Sequence, residues 1–409
     1  MDQDPKISRV RKMILIFLSA LVALISFFLI KYYIVSNSPM GWISSSLEKK
    51  YPYRDLKLNF TTVLQELRAA SPMNRVQELQ FIRSKLQRVH DAHLELRPAH
   101  EEFLVSGLSL SLNANRIRLN SAYPKLPARN LIVSVDGIKI GEWISGHESL
   151  VHYSSPWARD YRAKMLLTKF PKGAGSPPKR IAVSGAQGIV EIELNWHSKP
   201  SRVDTETCVS GRTIGDSYIL AIDSLWCQRS EGESRQSVFE NFKRQFDQAI
   251  VGYSTEQKLI LDLRGNRGGG DDEVRYVLSH FLQRRAFLYQ FQYQNQDKAQ
   301  TDYLEVGNAG LFAGKKFEVL VDAGCGSSCE VIASVLKHNT QAQLTGFKTH
   351  GCAGDPQTKE FGEWIYTYPS AKVWQENGSL YEGVGVKPQR LIEVEDFQKM
   401  KGDLLDYVL

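Results

Sequence analysis

One serine stands at a turn whose pattern suits nucleophilic chemistry. An apolar run at residues 317–321 predicts a buried strand, and the sequence continues D-A-G-C-G-S-S-C-E into an apolar helical pattern. Ser327 therefore lies where a helix is expected to begin, and the backbone N–H groups and helix dipole there favour developing negative charge. Ser327 and Glu330 also fit a helix capping box, which would imply no catalysis.

A glycine-rich turn offers the complementary chemistry. Residues 259–263 form an apolar run typical of a strand buried on both faces, and the sequence D-L-R-G-N-R-G-G-G at 262–270 overlaps its end. Glycines allow backbone N–H groups to point together into a cavity, where they can hold an oxyanion. The turn lacks G-x-G-x-x-G spacing and a Walker lysine–serine pair, so it is a poor match to a phosphate-binding loop.

Three further segments carry residues that could complete a site. Near the C-terminus, Y-E-G-V-G-V-K-P at 381–388 indicates a glycine loop before a strand, and T-H-G stands at 349–351. Far upstream, Asp91-Ala92-His93 places an imidazole where a strand is expected to begin. None of these segments indicates a function alone.

Together, the segments resemble one family. Their order and spacing over residues 200–395 are similar to those of the C-terminal-processing, tricorn and retinoid-binding-protein-like serine peptidases. The resemblance implies that Ser327 is the nucleophile and that the N–H groups of Gly268 or Gly269 and of Ser328 hold the oxyanion. It also implies hydrolysis of a polypeptide substrate through an acyl-enzyme, without a metal ion or an organic cofactor.

The group that accepts the serine proton distinguishes two branches of this family. The C-terminal-processing branch carries a lysine after T-x-G, where this chain has Cys352, and Lys348 is out of phase. The tricorn-like branch uses a histidine with an orienting carboxylate, and His93 and Glu382 stand at those positions. A histidine can take the proton near neutral pH, and a carboxylate can fix its tautomer. The alternatives are that His93 only packs at a strand start and that Glu382 is a solvated loop acid.

The remaining pattern predicts a multi-domain α/β protein. Strands alternate with helices only in its last part. We expect a cytoplasmic stub and transmembrane anchor at 1–36, a polar linker (37–57) and helical region carrying His93 at 37–102, a β-rich domain at 103–199, and an α/β core at 200–409. By the resemblance, the core is crotonase-like (ClpP-like), and the β-rich domain is PDZ-like with a peptide-binding loop at Gly107, Leu108, Ser109 and Leu110.

The N-terminal segment decides the expected compartment. Residues 13–30 contain no charged side chain, which is just long enough for one membrane-spanning helix, and four cations precede them. This cation bias predicts a single-pass protein of the bacterial inner membrane with its catalytic domain in the periplasm. A cleaved signal peptide is the alternative, although the apolar run is long for a signal and no A-x-A pattern follows it.

Composition and charge limit the other classes of function. The chain has 409 residues, of which 42% are hydrophobic and 23% are charged, and its formal net charge is +6. The cations are spread without basic blocks, so nucleic-acid binding has little support. A homo-oligomer is compatible with the sequence. Two other functions stay open: a catalytically inactive peptidase homologue that binds peptides or lipids, and a crotonase-like acyl-CoA enzyme, against which a periplasmic location argues.

Five cysteines fit an oxidising compartment in part. Cys208 and Cys227 bracket an apolar strand and are expected to bridge neighbouring strands. Cys325, Cys329 and Cys352 crowd the candidate site, and their pairing stays open. No C-x-x-C pair or histidine cluster accompanies them, so no metal site is expected.

Overall fold

The fold is described by a computed structural model. It covers residues 24–26, 38–71, 73–106, 108, 116–117, 130–172, 174–185, 188–199, 207–228, 232–307, 310–392 and 404–409. Most of the predicted membrane segment, residues 13–30, lies outside the described residues. Within the ranges given, no helix is both long and apolar enough to cross a membrane. Gly107, Ser109 and Leu110 of the predicted peptide-binding loop also lie outside them.

The N-terminal region is helical. Its helices are Pro39–Lys50 (α1), Phe60–Ala69 (α2) and Arg75–Leu86 (α3). The expected polar linker over 37–57 is wrong, because most of it belongs to α1. Ser38 caps this helix by accepting a hydrogen bond from the Gly41 N–H at 3.0 Å. Ile43 and Leu47, four residues apart, are buried on one face of α1, so the serine-rich segment still packs into a core.

The β-rich region consists, in its described part, of small antiparallel sheets and two helices. The strands are Glu95–Pro98 (β1), Phe103–Val105 (β2), Arg116–Ile117 (β3), Asn130–Val135 (β4), Ile138–Lys139 (β5), Lys169–Pro171 (β6), Arg180–Gly185 (β7), Gly188–Glu193 (β8) and His197–Lys199 (β9), and the helices are Ile140–Gly146 (α4) and Pro156–Met165 (α5). Two sheets have the strand orders β6-β2-β9 and β3-β4-β7-β8, with β5 paired to β4. The predicted hairpin is present, since Asp136 and Gly137 turn between β4 and β5 with φ of 49° and 82°.

A mixed six-stranded sheet lies at the centre of the C-terminal core. Its order is β10-β11-β12-β15-β16-β20, in which β10 is antiparallel to β11 and the other neighbours are parallel. The elements of the core are Val209–Ile214 (β10), Ser217–Ile222 (β11), Arg235–Ile250 (α6), Lys258–Asp262 (β12), Asp271–Ser279 (α7), Ala286–Tyr293 (β13), Gln300–Leu304 (β14), Lys316–Val321 (β15), Ser328–Asn339 (α8), Gln341–Gly346 (β16), Pro356–Phe361 (β17), Trp364–Pro369 (β18), Ala371–Trp374 (β19), Arg390–Leu391 (β20) and Leu404–Val408 (α9). Every residue of β11 is buried, as expected for a strand covered on both faces.

Smaller sheets connect the regions. Strand β1 pairs with β18, which pairs with β17, while β13 pairs with β14 and β19. Tyr366 of β18 is fully buried among the apolar side chains of the helical region. The hydroxyl of Tyr53, between α1 and α2, donates a hydrogen bond to the Ala353 carbonyl. The N-terminal helices are therefore held against the core beside the segment that follows β16.

The parallel strand order brings the motif segments together. The glycine-rich turn follows β12, the Ser327 turn follows β15, and the T-H-G segment follows β16. Asp262 lies in register with Leu320, and Val321 with Gly346, so these strands end at the same level. Because the carboxyl ends of parallel strands share one edge of the sheet, the three turns lie side by side.

A disulfide stabilises the first edge of the central sheet. Cys208 and Cys227, the pair expected from the sequence, are bonded, with their Cα atoms 5.8 Å apart. The bond spans a separation of 19 residues around β10 and β11. A cross-link over a loop of this length restricts the unfolded chain and is worth about 3 kcal/mol.

Candidate active site

Ser327 occupies a strained backbone position at the start of α8. Its φ is 55° and its ψ is −126°, a region that side-chain-bearing residues rarely adopt. Such strain persists only where neighbouring structure imposes it. Here the Ser327 N–H donates to the Cys352 carbonyl at 2.8 Å, and the Gly326 N–H donates to the Asn266 carbonyl at 2.9 Å. The turn is thus fixed by the glycine-rich turn after β12 and by the segment after β16.

The carboxylate of Glu330 ties these segments to each other. One oxygen accepts from the backbone N–H groups of Ser327 at 3.1 Å and Cys352 at 2.8 Å. The other accepts from the Thr349 hydroxyl and, at 2.8 Å, from the Gly351 N–H. The side chain is fully buried, and burial raises the pKa of Glu330 to about 7, although these four hydrogen bonds lower it. The expected capping box between Ser327 and Glu330 is therefore present, but its carboxylate serves a wider network than one helix.

The predicted oxyanion donors lie beside Ser327. A methyl group placed on Gly268, whose φ is +91°, would lie 2.8 Å from the Ser328 nitrogen and 3.0 Å from the Ser327 Cβ, so only glycine fits there. The Gly268 N–H, however, donates to the Asn266 side-chain oxygen at 2.8 Å. The Ser328 hydroxyl donates to the Gly269 carbonyl at 2.8 Å. We therefore no longer expect Gly268 to hold an oxyanion, and its alternative Gly269 remains together with Ser328.

His93 lies on the segment between α3 and β1. Its backbone N–H donates to one Asp91 carboxylate oxygen at 2.8 Å, and the Tyr51 hydroxyl donates to the other at 2.8 Å. The ring nitrogen Nδ1 of His93 is buried and has no hydrogen-bond partner among the residues that the structure describes. Burial lowers the pKa of His93, and the charge of Asp91 opposes this shift. The imidazole is accordingly held neutral, the form that can accept a proton.

Glu382 is buried and is bonded to a lysine rather than to His93. One of its oxygens accepts from the Lys57 ammonium, which also donates to the His90 carbonyl at 2.6 Å. Burial opposes the charge on Lys57, but the Glu382 carboxylate raises the pKa of this lysine, so it is cationic. The expected direct contact between Glu382 and His93 is absent from the described hydrogen bonds. Glu382 instead fixes, through Lys57, the backbone three residues before His93.

A second imidazole, which the sequence analysis did not single out, lies next to the nucleophile turn. His350 is almost completely buried, and a methyl group on Gly326 would lie 3.2 Å from its Cβ. Its Nδ1 is 3.0 Å from the Ala323 carbonyl, while its Nε2 is buried and has no hydrogen-bond partner in the described ranges. Since Nδ1 must donate to that carbonyl, Nε2 carries the free electron pair. Burial and then the charge of Arg162 lower the pKa of His350.

No lysine ammonium occupies the position expected for a serine–lysine dyad. Cys352 stands at that position as a buried free thiol, and a methyl group on Gly326 would lie 3.1 Å from its sulfur. Burial raises the pKa of Cys352, so the thiol stays protonated. The Lys348 ammonium lies 4.8 Å from the centre of the Trp157 ring, where it makes a cation–π contact.

The cysteines on either side of the nucleophile form a second disulfide. Cys325 and Cys329 are bonded, a pairing that the sequence left open, with Cα atoms 5.4 Å apart. The bond closes the five-residue turn that contains Ser327. Among the described residues, no group of three or more His, Cys, Asp or Glu side chains is placed to hold a metal ion.

The predicted peptide-binding loop is described at only one position. Leu108 is buried in the apolar core of the β-rich region. Its N–H lies 3.3 Å from the Ser106 hydroxyl. At this position the loop contributes to the core of the β-rich region.

Replacing Glu330 tests its place in the network. Glu330→Gln keeps the size of the side chain, but its NH2 group would face hydrogen-bond donors, so we expect a loss of about 1–3 kcal/mol in the free energy of unfolding. Urea unfolding checks this. Glu240→Gln is the control, because Glu240 is exposed and accepts only from Gln236 on its own helix. An equal and negligible effect of both substitutions would contradict the assigned role.

Comparison with known proteins agrees with this geometry. Residues 232–392 match the model of peptidase family S41. A probable CtpA-like serine protease of Staphylococcus aureus (strain bovine RF122 / ET3-1) is 28% identical over 147 residues, which cover 35% of this chain and 29% of that protein. A protein of the same description from Staphylococcus epidermidis is 29% identical over 145 residues. The match therefore spans less than a third of the length of these relatives.

Solved structures show the same fold over most of the chain. Mature CPAF complexed with lactacystin superimposes with a TM-score of 0.66 at 15% identity, covering 90% of this chain and 95% of that one. The photosystem II D1 C-terminal processing protease superimposes with a TM-score of 0.52 at 15% identity, covering 87% and 92%. At this identity the likeness concerns the fold alone, a tail-specific-protease-like α/β fold with mixed sheets. Residues 232–392 are, in addition, similar to peptidase family S41.

Proposed function

We propose that this protein is a membrane-anchored serine endopeptidase of the periplasm that hydrolyses peptide bonds through an acyl-enzyme at Ser327. The observation that carries the proposal is the strained Ser327 turn at the start of α8, which lies beside the glycine turn and the buried imidazole of His350. The match to peptidase family S41 over residues 232–392 includes this turn. A structural capping serine would require neither the strain nor the adjacent oxyanion donors.

The proposed reaction is acyl transfer to Ser327. The Ser327 hydroxyl oxygen attacks the carbonyl carbon of the peptide bond while an imidazole takes its proton. The N–H groups of Gly269 and Ser328 stabilise the oxyanion, and the N-terminal end of α8 adds its dipole. The imidazolium then gives its proton to the leaving amine, and the C–N bond breaks. Water, activated by the same base, hydrolyses the ester and restores Ser327.

We assign the base to His93, oriented within a Ser-His-Glu arrangement by Glu382. One observation supports this assignment: among the described residues, the Nδ1 of His93 is buried without a hydrogen-bond partner. Buried polar atoms rarely stay unpaired, so a carboxylate that reaches this nitrogen in the substrate-bound site would satisfy it. Before substrate binds, Glu382 supports the His93 segment through Lys57. His350 is the competing base, because its Nε2 is also buried and unpaired.

We further propose that residues 103–199 form a PDZ-like domain that binds the substrate chain and that residues 200–409 are a crotonase-like catalytic core. Support for the first comes from the β4–β5 hairpin and the helices α4 and α5 around one apolar core. Support for the second comes from the parallel strands whose carboxyl ends carry the three turns.

Alanine substitutions identify the base. We expect Ser327→Ala to abolish hydrolysis of a quenched fluorescent peptide, and His93→Ala to lower kcat/KM by about 10²–10⁴-fold. Glu382→Gln should lower it less, and Lys348→Ala should be nearly silent. Burial lowers the pKa of His93, so the activity of the wild type should persist to a pH below the usual histidine range before acid protonates the base.

His350→Ala is the matched comparison for His93→Ala. If His350→Ala removes activity and His93→Ala does not, then the base is His350. If Lys348→Ala removes activity, a displaced serine–lysine dyad operates. If the wild type cleaves no peptide and its Ser327 does not react with a fluorophosphonate, the chain is a catalytically inactive homologue that binds peptides or lipids.

The compartment is proposed from the N-terminal pattern and from the disulfides. The structure contains the Cys208–Cys227 and Cys325–Cys329 bonds, and such bonds persist in oxidising compartments such as the bacterial periplasm. We expect N-terminal sequencing of the protein extracted from membranes to find the encoded start. A mature chain that begins beyond residue 34 in a soluble fraction would instead show a cleaved signal peptide.

A further inference from the structure

Helix α5 of the β-rich region forms part of the wall of the candidate site. The Trp157 indole donates to the Thr349 carbonyl at 2.6 Å, and the Ser155 hydroxyl donates to the His350 carbonyl at 2.6 Å. A methyl group on Gly324 would overlap the Tyr161 hydroxyl, so the helix touches the strand end just before the nucleophile. Arg162 is the next residue of this helix after Tyr161.

Arg162 has no carboxylate partner among the residues that the structure describes. Its Nε is buried without a hydrogen-bond partner, and within the described part of the chain its guanidinium makes no ion pair. The neighbouring Arg159, by contrast, pairs with Asp160 at 2.9 Å. The carboxylate whose charge does act on Arg162, Glu95, lies 3.8 Å from Arg97 and so has another cation beside it.

A second arginine, Arg267, lies on the glycine-rich turn. It comes immediately before Gly268 and is exposed. Burial, and then the charge of Arg267, lower the pKa of Arg162 to about 10. After burial, Arg162 also contributes to the lowered pKa values of His93 and His350. Arg162 follows Tyr161 on α5, which touches Gly324, and Arg267 precedes Gly268, which lies against Ser327, so both arginines belong to segments that flank the nucleophile turn. An unpaired buried polar group such as the Nε of Arg162 is unfavourable unless a ligand satisfies it.

We propose that Arg162 and Arg267 bind a carboxylate of the substrate next to the scissile bond and so select acidic peptides. A guanidinium presents a planar fork of N–H groups that matches a carboxylate, and such charge-assisted hydrogen bonds are stronger than neutral ones. The carboxylate can come from an aspartate or glutamate side chain or from the C-terminus of the substrate. This specificity rests on the proposed peptidase function.

Binding to the Ser327→Ala variant tests the site without hydrolysis. Four peptides of one neutral parent sequence form two pairs, measured by calorimetry. The first pair carries glutamate or glutamine beside the cleaved position, both with an amidated C-terminus. The second pair carries no acidic side chain and ends in a free carboxylate or an amide. We expect one pair to show a preference of about 10- to 100-fold for the carboxylate form, and that pair identifies the source.

The preference should disappear when Arg162→Gln is added to Ser327→Ala, and it should weaken with Arg267→Gln. Arg159→Gln, on the same helix, should leave it unchanged. A purely structural role of Arg162 would weaken binding of the carboxylate and amide peptides equally. If Arg162→Gln prevents folding, as judged by thermal unfolding, the test uses Arg267→Gln, because Arg267 is exposed. This variant should then weaken the preference for the carboxylate peptide.

The outcomes separate this proposal from the peptidase proposal. A preference that survives Arg162→Gln and Arg267→Gln, no preference in either pair, or no binding of any of the four peptides would overturn the carboxylate site. If the wild type cleaves all four peptides at equal rates, the peptidase function stands and the carboxylate site fails. If the wild type cleaves none, but the Ser327→Ala variant binds a carboxylate peptide through Arg162, the carboxylate site stands and the peptidase function fails.

Discussion

The buried carboxylate of Glu330 is the interaction on which the candidate site depends. Its two oxygens accept hydrogen bonds from Ser327 in the nucleophile turn and from three residues of the segment after β16. Without this acceptor, the backbone N–H groups of Gly351 and Cys352 and the Thr349 hydroxyl would lose their hydrogen-bond acceptor, which is unfavourable for buried donors. The carboxylate and the Cys352 carbonyl together hold the N–H of Ser327 in its strained conformation.

Burial also sets the protonation of three groups of the candidate site. Desolvation disfavours the charged forms, so it holds His93 and His350 as neutral imidazoles and Cys352 as a neutral thiol. The charge of Arg162 acts in the same direction on both histidines. Acceptors for the serine proton are thus available near neutral pH. The protonated thiol of Cys352 cannot accept the serine proton. We therefore assign this role to an imidazole.

Local sequence patterns predicted the parts of the site that depend on local structure. The buried strands, the glycine turn after β12 and the serine turn before α8 follow from apolar runs and glycine spacing, and parallel strands place their ends together. The side-chain contacts between distant segments were not predictable in this way. The Lys57–Glu382 pair joins residues 325 positions apart, and no periodicity marks either partner. His350 appeared only as the variable residue of T-x-G, and α1 was mistaken for a linker because its buried face is short.

Mapping of a fluorophosphonate adduct tests the central claim, which is that the turn fixed by Glu330 at the start of α8 makes Ser327 the nucleophile. The purified protein would be labelled, digested and analysed by tandem mass spectrometry, with heat-denatured protein as the control. We predict one adduct on Ser327 in the folded protein, none on Ser328, and no labelling after denaturation. An adduct on Ser328, or a folded protein that does not react at any serine, would contradict this account.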